Sequence, residues 1–197
     1  MGYSIKNKKE SFELIEQLGL NKFASIAMEQ YDETKLWEFL AAYPNIKRFS
    51  IRDLAKADSE WSRNFRDISK EQMIKESRQR SNIMIQERSE YDNKRVLCGE
   101  IALNMYYPDI ELILTATDNP NAIIPMARLN PTYNFRGSFL NDKRLKHLTA
   151  RIKGFNEIVD YMFKHELFDV IIEFSVHEKP VGVKRECVRI GELRTDY

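Results

Sequence analysis

Five short apolar runs between Asn82 and Arg194 constrain this chain most: Asn82–Arg88 (NIMIQER), Val96–Met105 (VLCGEIALNM), Ile110–Thr117 (IELILTAT), Asp169–Val176 (DVIIEFSV) and Val188–Arg194 (VRIGELR). They are rich in β-branched residues, and several alternate polar with apolar side chains, the period of a half-buried strand. The first two flank a polar turn at Asp92-Asn93, a hairpin signal. Lys47–Arg52 (KRFSIR) alternates in the same way and adds a short strand. Helical spacing is confined to a few segments. One starts at Ser11 as cap, runs to Leu18 and stops at Gly19. Others cover Glu33–Ala42, ended by Tyr43-Pro44, then Lys70–Arg78 and Phe155–His165. The expected class is α+β, a mostly antiparallel sheet with flanking helices.

Composition narrows the function classes. The 197 residues are 43% hydrophobic, enough for one large domain or two closely packed lobes. Lys and Arg number 31 against 30 Asp and Glu, so the net charge of +1 disfavours a globally basic nucleic-acid binder while leaving room for a local basic face. Cys98 and Cys187 form no CxxC pair and have no histidine spaced as a zinc partner, which argues against a structural metal. The opening MGYSIKNKKESFE lacks an apolar signal core, and no window is apolar for long enough to span a bilayer, so a cytoplasmic protein is expected. Neither GxGxxG nor GxxxxGK[ST] occurs.

The last two strands carry the most suggestive chemistry. Alternation in DVIIEFSV sets Val170, Ile172, Phe174 and Val176 on one face and Ile171, Glu173 and Ser175 on the other. In CVRIGELRTDY it groups Val188, Ile190, Glu192 and Arg194, opposite Cys187, Arg189, Gly191, Leu193 and Thr195. If the strands pair, Glu173 sits across from Glu192 or Arg194. Two carboxylates suffice for Mg²⁺, which completes its shell with water and phosphate, and Arg194 would stabilise a transferred phosphate. A cross-strand Glu–Arg ion pair on an exposed sheet face fits the same pattern.

Other candidates are weaker. Arg52 closes a strand where a guanidinium could clamp phosphate, or pair with Asp53. Gln86 and Glu87 end an apolar strand whose backbone could meet an adenine edge. The connection DNPNAIIPMARLNPTYNFRGSFLND is long and broken by three prolines; its Arg128, Arg136 and Gly137 could meet an anion or simply face solvent. His147, His165 and His177 are scattered and read as structural or surface residues. Aromatic and basic residues interleave in WSRNFR and YNFRGSF, where the rings stack bases or fill the core.

Taken in order, these segments resemble the ATP-grasp nucleotide-binding domain of phosphoenolpyruvate synthase and pyruvate phosphate dikinase. KKESFELIEQLGL looks like that family's opening lysine and helix, FSIRDLAKAD like its arginine-bearing strand and loop, and IMIQER like its adenine strand. IIEFSV with IGELRTDY is similar to its paired metal-binding strands. The resemblance implies ATP and Mg²⁺ as cofactors: Lys8 and Arg52 on phosphates, Gln86 and Glu87 beside the adenine, Glu173 and Glu192 on the metal, and Arg194 near the γ-phosphate, with Arg194 and Arg52 catalytic. It implies a single ATP-grasp-like domain over residues 1–197, in two small lobes of about 1–80 and 81–197.

The reading this suggests is a nucleotide- and Mg²⁺-binding protein, a phosphoryl-transfer or ligase-type enzyme on an unknown substrate. Catalysis itself stays open. The alternative is a catalytically inactive module that binds nucleic acid or protein. Its motives are the Arg-rich stretch from Trp61 to Arg95 and the absence of glycine from AKADSEWSRNFRD, since a loop covering phosphate needs close backbone approach.

Overall fold

The computed structural model describes residues 2–54, 65–88, 95–119, 128–152, 154–178 and 187–195; for Arg66 and Cys187 it describes the backbone alone. In chain order the elements are α1 (Lys8–Gln17), β1 (Ser25–Met28), α2 (Glu33–Ala42), β2 (Arg48–Asp53), β3 (Phe65–Ser69), α3 (Lys70–Ser77), β4 (Ile83–Glu87), β5 (Arg95–Tyr106), β6 (Asp109–Thr117), β7 (Tyr133–Ser138), α4 (Leu145–Thr149), α5 (Phe155–Lys164), β8 (Ile171–His177) and β9 (Cys187–Arg194). The strands make two antiparallel sheets, one ordered β1-β4-β2-β3 and the other β7-β6-β5-β8-β9. The α+β expectation holds.

Each sheet has its own apolar layer. In the first, Phe49, Ile51, Ile83 and Ile85 pack with Leu36, Phe39 and Leu40 of α2 and Met73 of α3. In the second, Ile101, Leu103, Leu112, Leu114, Ile172 and Phe174 pack with Phe155, Ile158 and Met162 of α5. Helix α1 belongs to both: Ile15 joins the second core, while Phe12 packs with Met84 of β4 and with Leu54 just after β2. Among the described residues no helix is long and apolar enough to cross a membrane.

Several expectations are corrected. The helix placed from Ser11 starts at Lys8, because Asn7 is the cap: its side chain accepts from the Glu10 amide, while the Glu10 carboxylate accepts from the Lys6 amide. Ser11 is buried instead, and its hydroxyl accepts from the Leu193 amide at 2.7 Å, fastening α1 to β9. The hairpin expected between NIMIQER and VLCGEIALNM does not form. β4 lies between β1 and β2, whereas β5 lies between β6 and β8; the turn residues Asp92 and Asn93 lie outside the described residues.

The alternation assigned to β9 fails at one place. A register shift between Glu173 and Phe174 pairs Phe174 with Ile190 but Glu173 with Glu192. One extra residue on β9 reverses the pleat there. Val188, Ile190 and Leu193 are therefore all core residues, and Glu192 and Arg194 leave the face they would otherwise share with Val188 and Ile190.

Candidate functional site

The outer face of the second sheet carries a row of carboxylates. Glu100 on β5 pairs with Glu173 on β8, and Glu173 pairs with Glu192 on β9, so three acidic side chains line up across three neighbouring strands. Cross-strand neighbours on one face have Cβ atoms about 5 Å apart, close enough for their charges to interact strongly. Such a row requires cations. Arg194 donates to Glu100 and lies 3.8 Å from Glu173. Arg128 donates through Nε to Glu100 at 2.7 Å, and its Nη2 lies 3.5 Å from Glu173.

Burial sharpens the electrostatics. The side chains of Glu100, Glu173 and Arg194 are only 14%, 17% and 17% exposed. Burial pushes the Glu173 carboxyl up to about 7, helped by the Glu192 charge, opposed by Arg194, and helped again by Glu100. Arg194 spends its guanidinium on the row, yet its Nε is buried without a hydrogen-bond partner among the described residues.

A second cluster meets the first at Glu192. Where α1, the first sheet and β9 come together there is a cavity of about 20 Å³, lined by Lys8, Arg52, Gln86 and Glu192 among others. Lys22 joins this lining and is held by Glu16 at 2.8 Å, with its ammonium over the Phe12 ring. Among the described residues the wall carries three cations and the one carboxylate of Glu192. Its volume holds about one water and not a nucleotide.

The structure therefore brings Lys8, Arg52, Gln86 and Glu192 to one cavity, and Glu173, Glu192 and Arg194 to one row. Glu87 stands apart. Its carboxylate accepts from Arg189 at 2.9 Å, an ion pair that ties β4 to β9. Of the loop candidates, Arg136 pairs with Glu111 at 2.7 Å, Gly137 lies against the Asp142 and Arg144 side chains, and Arg128 belongs to the row. His177 is buried and bonded to the Ser175 hydroxyl at 3.0 Å. In YNFRGSF, Phe135 is core; in WSRNFR, residues 61–64 lie outside the described residues.

Glu100 escaped the sequence reading. VLCGEIALNM is apolar on both sides of its one glutamate, so nothing marked that glutamate as sharing a face with Glu173. Glu173 and Glu192 are adjacent carboxylates, the hard oxygen donors that a divalent cation such as Mg²⁺ takes. Among the described residues no group of three or more His, Cys, Asp and Glu side chains is arranged to hold a metal ion, so water and phosphate oxygens would have to complete the shell.

No family model and no curated protein matches the chain. Solved structures do. D-alanyl-alanine synthetase A from Vibrio cholerae superposes with a TM-score of 0.51 at 10% identity, over 96% of this chain and 55% of that one. D-Alanine-D-alanine ligase from Helicobacter pylori gives 0.51 at 12% identity, over 96% and 53%. The fold is ATP-grasp-like. The chain spans about half the length of these ligases.

Proposed function

We propose that the protein is a cytoplasmic ATP- and Mg²⁺-binding protein of ligase or phosphotransferase type, a single ATP-grasp-like unit whose nucleotide lies between its two sheets. The observation that carries this reading is the cavity where Lys8, Arg52 and Gln86, far apart in sequence, meet Glu192. Two fixed cations and a buried amide suit phosphate and a base edge, and Glu192 with Glu173 supplies hard oxygens beside them. When bound, Mg²⁺ would neutralise phosphate charge at this row. Arg52 and Lys8 would orient the polyphosphate, and Arg194 would stabilise charge on the transferred group.

A cavity of about 20 Å³ demands one further step. The nucleotide enters only when the first sheet and β9 part, as expected for a ligand that selects an open arrangement. Arg189 holds Glu87, whereas Gln86 lines the cavity and is the adenine neighbour.

The test is thermal unfolding with ATP and Mg²⁺. Nucleotide at about 100 times its Kd stabilises the folded state by about 2.7 kcal/mol, and this gain should vanish in Arg52→Ala and in Glu173→Gln combined with Glu192→Gln. A melting temperature indifferent to millimolar ATP, with and without Mg²⁺, overturns the reading.

A further inference from the structure

The proposed function assigns no role to Arg128, although it covers the row. It enters from the connection between β6 and β7, donates through Nε to Glu100 at 2.7 Å and reaches Glu173 at 3.5 Å. Its side chain is 42% exposed, against 14% for Glu100 and 17% for both Glu173 and Arg194. Arg194 is anchored within β9, so the two cations are not equivalent. Arg128 is the outer, solvent-facing one, and it belongs to no strand of the sheet.

Charge and position together define its role. A divalent cation held by Glu173 would sit close to the guanidinium that now reaches the same carboxylate. Two cations compete for one set of oxygens, and a planar guanidinium with fixed donors cannot share them with a compact metal shell that demands its own geometry. We propose that Arg128 is the resident counter-cation of the carboxylate row and a specificity-determining residue of the site, competing with the divalent metal and leaving Glu100 and Glu173 when the metal binds. This inference rests on the metal reading of Glu173 and Glu192 given above. Freed from the row, the same guanidinium is a ready donor to a phosphate arriving with the metal.

The probe is Mn²⁺ alone, titrated by electron paramagnetic resonance into the folded wild-type chain and into Arg128→Gln, which leaves a shorter polar side chain without the charge. Arg128→Gln should bind Mn²⁺ about fivefold or more tightly, the effect of removing a part-exposed competing ion pair. Arg128→Lys should fall between the two. Adding Glu173→Gln and Glu192→Gln to Arg128→Gln should abolish the gain. If Arg128→Gln binds Mn²⁺ no better than wild type while binding still depends on Glu173 and Glu192, the competition is overturned and the metal site survives. If neither protein binds Mn²⁺, the metal reading falls and takes the competition with it. Circular dichroism of each variant excludes misfolding as the cause of either result.

Discussion

Glu173 faces Glu192 because β9 carries one residue more than β8 between the Phe174–Ile190 pair and the next pair along. Without that bulge the pleat of β9 would continue, and a strand with Val188 and Ile190 in the core would turn Glu192 toward the core as well. The bulge lets one strand fill the core and still present two charged residues to the opposite face. It is the local device that builds the site.

The raised Glu173 carboxyl gives stability a pH dependence of definite sign. It titrates near 7 in the folded chain against 4.5 ordinarily, chiefly through burial and then the Glu192 charge. The folded state thus binds more protons than the unfolded one between those values, so this group's contribution to stability falls as pH rises across the window. Because Glu173, Glu192 and Glu100 interact, the loss belongs to the cluster as a whole. Glu173→Gln should gain on wild type in urea unfolding as pH is raised from 5 to 8. Parallel curves for the two proteins would refute the proton assignment.

Arg194 is the buried cation of the row and should matter most for folding. Among the described residues, truncation to alanine leaves Glu100 and Glu173 with Arg128, and breaking a largely buried pair costs about 3 kcal/mol. Arg194→Lys keeps the charge but loses the fork, so an intermediate loss is expected. In denaturant unfolding, adding Glu100→Gln to Arg194→Ala should recover about 1 kcal/mol or more, because the carboxylate left unpaired is removed. Strict additivity would show that the contact contributes nothing.

Gly99 tests the packing of the sheet that carries the row. A Cβ there would lie 2.2 Å from the Thr115 carbonyl oxygen and 2.6 Å from the Ala116 Cα, both backbone atoms of β6. Neither can move without distorting the β5–β6 ladder, so Gly99→Ala should cost about 2 kcal/mol or more. A denaturation midpoint matching wild type would mean that β5 and β6 lie farther apart than described.

How much of this was legible in the sequence depends on the element. β8 alternates cleanly, so Glu173 is placed on the outer face by pattern alone. β9 does not, because nothing in IGELR except its glycine marks a bulge. β1, four residues long, is too short to show a period, and β7 lay inside a proline-broken stretch read as loop. The expected hairpin failed because sequence adjacency was taken as spatial adjacency, whereas the chain leaves the first sheet after β4. Arg52 and Gln86 were readable at strand ends, Lys8 only through a resemblance in the order of motifs; no local pattern could have brought a helix and two strands together at one cavity.

The Arg189–Glu87 pair joins the two sheets. Arg189 donates to Glu87 at 2.9 Å and to the Lys22 carbonyl at 3.1 Å, and its guanidinium lies 4.9 Å from the Phe23 ring centre. Arg189→Met keeps an apolar stem over that ring but strands a carboxylate that is only 12% exposed. Hydrogen bonds to charged groups contribute about 1.5–3 kcal/mol, so a loss in that range is expected. The loss should be local. The Ile190 amide donates to the Asn21 carbonyl at 2.8 Å, and its hydrogen exchange should accelerate more than that of Leu103 in the middle of β5. If the nucleotide enters by parting the sheets, the same variant should bind ATP more tightly, because it lowers the cost of the open arrangement. Uniform acceleration of all amides with unchanged ATP affinity would show that Arg189 stabilises the fold as a whole and does not clamp one sheet to the other.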